Sequence, residues 1–319
     1  MSSYRLRNWS EYNHALVARG SLTCWIDVDV LTAWRAAAAA PRRRGHPRVY
    51  SDVAIACVLT LQEVYHQALR QTTGLVQSLF ALWHLTLEVP SASTLSRRRR
   101  TLTVPLPVRV PTAPLHLVID STGLKVYGAG EWRRRREGYT KRRTWLKVHV
   151  GVDAATSELR LAAVSTNDVD DGVALTRLLP LEAAPLAQVS ADGAYDEWQC
   201  YDAVAARPER PRAVFPPRPR GRRRPRIRQH GNCHAPPLER DQHLRRIRRV
   251  GRARWKHEVG YHRRSLAETA MSRLKTIFGG QVSARTHDGA ATQVFLRCAA
   301  LNQMAQLGMP RSYPRPPPA

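Results

Sequence analysis

Apolar positions recur through the first third of the chain without strand-like alternation. After an alanine run at 36–40 and a break at Pro41-Arg-Arg-Arg-Gly45, residues 53–85 keep the spacing of packed helices. The pattern predicts a small all-α domain over residues 1–110. Within it, 69–87 reads as one helix, Val89-Pro90 ends it, and Ser91 through Arg100 reads as a second, in a helix-turn-helix arrangement.

From Leu115 the texture changes to short apolar runs separated by turn residues: 115–119, 146–152, 159–165 and 188–191. Helical spacing returns at 172–179 and again at 196–206. Three strands followed by alternating elements predict an α/β sheet over residues 111–309. Residues 207–256 read as a strongly basic segment within that span. Five prolines between Pro211 and Pro225 predict irregular chain over about 208–236, and 238–250 reads as a basic helix. The Pro-rich end, 310–319, is expected to be an extended, disordered tail.

Charge changes the picture. The 319 residues carry 51 Lys and Arg against 25 Asp and Glu, a formal charge of +26. Of the 51, 46 are Arg; a coding preference could explain Arg over Lys but not the shortage of acids. An imbalance of this sign attracts phosphate, so a polyanionic partner is expected. In that light the helix starting near Ser93 would enter a DNA major groove with Arg97 and Arg98 among its contacts, and Arg245, Arg246 and Arg249 of the later basic helix would add more. A solvated basic surface accounts for the same residues. No apolar run approaches a membrane span, no secretion signal is evident, and five scattered cysteines suggest neither disulfides nor a zinc ribbon. A soluble, cytoplasmic protein is expected. His230, Cys233 and His234 lack a fourth ligand at recognisable spacing.

The candidate chemistry is carboxylate. Asp120 closes the run Leu115-His-Leu-Val-Ile119 and precedes Ser121-Thr122-Gly123. Asp192 likewise follows Gln188-Val-Ser-Ala191 and precedes Gly193. Strand ends are where open α/β sheets gather their sites, although an Asp before Gly also caps turns. Tyr261, Arg264, Glu268 and Lys275 are spaced by three, four and seven, which puts all four on one face of a helix. Ser265-Leu-Ala-Glu268 also fits a capping box, and spacing alone leaves the two roles of Glu268 open. Asp153 and the acids Asp168, Asp170 and Asp171 read as turn formers and solvated charges. Trp132, Trp145 and Trp255 could be core or could stack on a displaced base.

Ile119-Asp-Ser-Thr-Gly-Leu-Lys-Val-Tyr-Gly-x-Gly-Glu-Trp132, Ser190-Ala-Asp-Gly-Ala-Tyr-Asp196 and the Tyr-x-x-Arg-x-x-x-Glu-x-x-x-x-x-x-Lys spacing together resemble the DDE transposases of bacterial insertion sequences, in the group with a Tyr-Arg-Glu-Lys signature. The resemblance implies a ribonuclease-H-like mixed-sheet catalytic domain with Asp120 on the first strand, Asp192 after the fourth, Glu268 on a later helix, and the basic segment at about 207–256 as an insertion between Asp192 and Glu268. It implies that these three hold two Mg²⁺ ions, with Mn²⁺ substituting, and that Tyr261, Arg264 and Lys275 grip DNA beside the scissile bond. It further implies binding of terminal inverted repeats in double-stranded DNA, cleavage and strand transfer, action as a homodimer, and a place at the bacterial nucleoid. Other readings are a non-catalytic DNA-binding relative and a structure-specific nuclease of the same fold.

Overall fold

The computed structural model describes residues 4–36, 48–126, 145–218, 227 and 238–314. Its first elements are β1 (Tyr4–Leu6), α1 (Trp9–Arg19), α2 (Val28–Thr32), α3 (Asp52–Val64), α4 (Leu69–Leu82) and α5 (Ala92–Arg98). Then come β2 (Leu115–Val126), β3 (Trp145–Asp153), β4 (Leu159–Thr166), α6 (Asp171–Leu178), β5 (Leu186–Ser190), α7 (Trp198–Ala205) and β6 (Arg212–Val214). The chain continues through α8 (Glu239–Val250), α9 (Arg252–Glu258), α10 (Ser265–Phe278), β7 (Gln281–Val282), α11 (His287–Leu307) and β8 (Ser312–Pro314). Contacts divide it into two units, 1–107 with 284–319, and 108–283.

The first unit is helical except for β1, which pairs antiparallel with β8. Part of the expected tail is therefore a strand. Its Ser312-Tyr313 backbone answers the otherwise unpaired edge of Tyr4–Leu6. Asp27, Ser51 and Ser91 cap their helices by accepting from Val30, Ala54 and Thr94 N–H groups. Helix α3 is apolar nearly all round and packs on α11, which supplies the far side of its core. Between these helices Glu63 accepts from Arg297 Nε at 2.7 Å and from Gln293 Nε2 at 2.9 Å, all three buried. The expected helix-turn-helix takes another form. Helix α4 stops at Leu82, and the stretch from there to α5 is far longer than the three or four residues of that motif. Arg98 turns inward to Asp52 and the Tyr50 carbonyl, and Arg99 is buried against Gln62.

The second unit is built on a mixed six-stranded sheet in the order β4-β3-β2-β5-β6, with β7 pairing β2 beyond the end of β5. β2, β3 and β4 are antiparallel, while β5, β6 and β7 run parallel to the strand they join. The four strands expected from sequence fall within β2 to β5. β6 interrupts the stretch expected to be irregular: Ala213-Val-Phe215 is an apolar island between prolines, buried at the sheet edge. Leu115, Leu117 and Ile119 share one core cluster with α6 and α7. Alternation turns Val118 and Asp120 to the opposite face, where Val214 packs against Trp255 and Val259.

Candidate active site

Asp120 lies within β2, not at its end. The ladder with β3 runs unbroken from Leu117↔Asp153 to Lys125↔Trp145, so the turn expected at Ser121-Thr122-Gly123 is extended chain. A Cβ at Gly123 would come within 3.1 Å of the Trp145 ring and crowd it. The strand end belongs instead to the neighbour. β5 pairs Leu117↔Val189 and Val118↔Ser190, then leaves the sheet. Asp192 follows two residues after the last paired residue of β5, and its charge acts on Asp120. Asp192 opens a 3-10 turn and accepts from Ala194 N–H at 2.7 Å, so it does cap a turn. Asp120 Oδ1 accepts from Ser121 N–H at 2.8 Å.

Glu268 stands in the first turn of α10, whose Ala267, Ala270, Met271 and Leu274 are buried. Its capping box does not form. The Ser265 hydroxyl donates to the His262 carbonyl, and Glu268 meets Arg264. Tyr261 and Arg264 lie on a 3-10 turn ahead of the helix, because Gly260, with φ of 64°, turns the chain there. The four-residue stripe therefore changes pitch, yet Arg264 still reaches both acids. Its Nη1 is 3.4 Å from Asp120 Oδ2 and its Nη2 bonds Glu268. Burial raises the Asp120 pKa, and the charges of Asp192 and Glu268 push it the same way against Arg264 and the Ser121 amide. Burial likewise raises the Tyr261 pKa, opposed by Arg264 and supported by Asp192 and Asp120. A cleft of about 520 Å³ opens beside these groups, lined by Asp120, Thr122, Glu268, Ser272 and Lys275.

Residues 17–129 match one family model described as a transposase DDE domain, and residues 111–303 match a second of the same description. The chain belongs to the DDE transposases. The family is one of DNA-cleaving and strand-transfer enzymes, and its members generally use divalent metal ions. No solved structure matches the chain. Among the described residues no helix is long and apolar enough to cross a membrane.

In this transposase Asp120, Asp192 and Glu268 offer oxygen ligands alone, the donor chemistry that a hard cation favours, and the charges of Asp192 and Glu268 act on Asp120. Among the described residues no three His, Cys, Asp or Glu side chains form a ready metal cage. In its place the Arg264 guanidinium neutralises two of the acids.

Other expected residues fall elsewhere. Lys275 lines the cleft. Trp255 is core: fully buried, it donates to His243 Nδ1 at 3.1 Å, which leaves His243 Nε2 to donate to the Ala213 carbonyl. Trp145 is partly exposed, with Lys125 Nζ 5.7 Å from its ring centre. On α8, Arg246 pairs with Glu258 at 2.7 Å, while Arg245 and Arg249 are exposed. Trp132, His230, Cys233 and His234 lie outside the described residues.

Sequence reasoning missed one cluster. Asp171 is not a solvated loop charge: its Oδ1 lies 3.1 Å from Lys147 Nζ and 3.4 Å from His149 Nδ1. Burial opposes its ionisation, but the neighbouring His149, Ser121 and Lys147 side chains outweigh this and hold its pKa well below the usual range. The signal was present only as polar Lys147 and His149 inside an otherwise apolar strand. Asp170 and Asp153 are turn formers as expected, accepting from Gly172 and from Ala155 and Thr156.

Proposed function

We propose that this transposase binds the terminal inverted repeats of an insertion sequence and cleaves and joins DNA at Asp120, Asp192 and Glu268. The observation that carries the reading is the mutual influence of the Asp120, Asp192 and Glu268 charges, with β2 and β5 paired up to two residues before each aspartate. Three antiparallel strands flanked by two parallel ones, with the acids on the first strand, after the fourth and on a later helix, support a ribonuclease-H-like catalytic domain. The Tyr261, Arg264, Glu268 and Lys275 spacing supports membership of the Tyr-Arg-Glu-Lys group.

The carboxylates would hold a pair of Mg²⁺ or Mn²⁺ ions, which when bound activate a water or a DNA 3′-hydroxyl and offset charge on the leaving oxygen. The chain's own part is to bind and orient. Lys275 faces the cleft and offers a mobile cation to a non-bridging phosphate oxygen. Arg264, once drawn from the acids by a phosphate, would grip it in bidentate fashion. Tyr261, held against Trp255 with ring centres 6.0 Å apart, presents its phenol beside the same backbone. Arg97, Arg245 and Arg249 would extend the contact along the duplex; Arg98 and Arg246 are partly committed to Asp52 and Glu258. Joining two ends calls for two copies of the chain on DNA.

The test uses oligonucleotide duplexes carrying the element ends, a target plasmid and Mg²⁺. Asp120→Asn, Asp192→Asn and Glu268→Gln should each lower cleavage and joining by at least about a thousandfold, some 4 kcal/mol in the barrier, while duplex binding persists. Full joining by any of them would sink the proposed site. Hydrolysis without joined products in the parent protein would make it a nuclease.

A further inference from the structure

His116 and Val118 share the face of β2 that carries Asp120, and Gln188 and Ser190 share the matching face of β5. Three polar side chains meet there. His116 Nε2 and Ser190 Oγ are 2.8 Å apart, and Gln188 Nε2 lies 2.9 Å from Ser190 Oγ and 3.2 Å from His116 Nε2. Ser190 is fully buried, so its hydroxyl depends on these neighbours. The Gln188 amide reaches further: Nε2 also donates to the Val259 carbonyl at 3.1 Å. A carbonyl can only accept, which fixes the end of the amide that faces it. One amide hydrogen therefore goes to Val259, and the other to the Ser190 and His116 pair. Val259 closes α9, and in a continuing helix its carbonyl would receive the N–H of Arg263, but that N–H bonds Gly260 instead. Gln188 answers the carbonyl that the turn sets free. From Val259 the chain bends at Gly260 into the 3-10 turn Tyr261–Arg264, and α10 with Glu268 follows at once. Turn and helix both pack on β2. At the end of the turn Arg264 reaches Asp120 and Glu268.

We propose that Gln188 is a positioning residue for Arg264: by holding the Val259 carbonyl it ties the turn that carries Arg264 to the strand that leads to Asp192. The Val259 side chain is already packed against Val214 and Trp255. Such packing is non-directional and leaves the peptide plane after Val259 free to tilt; a hydrogen bond to its carbonyl sets that plane, and with it the direction in which the turn leaves α9. Ser190 and His116 keep the Gln188 amide in the orientation that reaches Val259. The loss of one such bond shifts an equilibrium by about threefold to tenfold.

The inference rests on the reading that Asp120 holds a divalent cation and Arg264 grips phosphate, and the experiment separates the two. The full chain is compared as parent, Asp120→Asn, Arg264→Gln, Gln188→Met, Gln188→Glu and the Gln188→Met/Arg264→Gln double variant. Cleavage of element-end duplexes gives kcat and KM, electron paramagnetic resonance gives Mn²⁺ binding without DNA, and melting temperatures are taken alongside. Gln188→Met should lower kcat about tenfold and leave KM for DNA unchanged, because the rest of the duplex contact is intact. It should move Mn²⁺ affinity in the same direction as Arg264→Gln by a smaller factor, about threefold tighter, since a loosened turn frees the acids from the guanidinium. The double variant should be no slower than Arg264→Gln alone. Losses in kcat that multiply in full in the double variant overturn the positioning role. So does a lowered melting temperature with parental kcat, or Mn²⁺ affinity that stays parental where Arg264→Gln changes it. If Gln188→Met fails to fold, Gln188→Glu decides by the same measures, since its carboxylate keeps the shape of the amide, can accept from Ser190 and cannot donate to Val259. Unchanged Mn²⁺ binding in Asp120→Asn would instead count against the metal site and leave the kcat comparison to decide the role of Gln188.

Discussion

Arg264 occupies the space between two acids that are proposed to hold a cation, so its removal should strengthen metal binding. At 3.4 Å, Nη1 and the Asp120 carboxylate attract by about 5 kcal/mol at an effective dielectric near 20. Both side chains are roughly a fifth exposed, at 22% and 16%, and Glu268 is half exposed, so solvent screens most of that attraction. The guanidinium is also partly compensated for its release by water. A net cost of about 1.5–2 kcal/mol for freeing the acids follows, which is about ten- to thirtyfold in a dissociation constant. Arg264→Gln should therefore bind Mn²⁺ about ten- to thirtyfold more tightly than the parent when no DNA is present. Its cleavage of DNA should nevertheless fall, because the phosphate grip is lost. Titration of free Mn²⁺ by electron paramagnetic resonance, with Asp120→Asn as the control, measures the first effect. Equal or weaker Mn²⁺ binding by Arg264→Gln would refute the reasoning, since it would mean that Arg264 builds the carboxylate site instead of competing for it.

Three more outcomes follow from the same coordinates. Glu63→Gln should cost about 3 kcal/mol in urea unfolding, because it removes the carboxylate that faces the buried Arg297 guanidinium; a loss under 1 kcal/mol would contradict the buried pair. His116, desolvated beside Ser190 and further depressed by Arg263, has its pKa lowered to about 4. The unfolded chain then binds more protons between pH 4 and 6.5, so stability present above 6.5 drains away as pH falls towards 4, by about 2 kcal/mol after allowance for partial exposure; His116→Gln should flatten that window in pH-dependent melts. Arg249→Ala should weaken duplex binding for all sequences and make the slope of log K against log salt shallower by about 0.9, whereas Arg246→Ala, already paired with Glu258, should change it less.

The sequence made the strands and both aspartates visible because each strand carries an apolar run long enough to count. It could not show that β2 passes through Asp120, since the residues that prolong it, Ser121-Thr122-Gly123, are turn formers in isolation and are held extended only by β3. β6 and β7 are three and two residues long, too short for any period to register, and exist because a neighbour offers hydrogen bonds. Glu268 was ambiguous between cap and site, and Arg264, bonding forward to it, removes the cap. Asp171 escaped notice because three acids in the five positions after β4 resemble a solvated loop; only the fold brings Lys147 and His149 to it. The pairing of α3 with α11 spans most of the chain, and neither helix carries a mark of its partner.

The parallel pairing of β2 with β5, which ends two residues before each aspartate, divides the possible insertions and deletions into two kinds. Residues added to the Ala154–Ser157 turn, or to the chain between Thr166 and Asp170, lengthen the path between the aspartates and leave their meeting untouched. A single residue lost inside β2 or β5 turns one carboxylate to the far side of the sheet. Sequence distance between the two acids is thus free to drift over generations, while the odd-or-even phase of each strand is not.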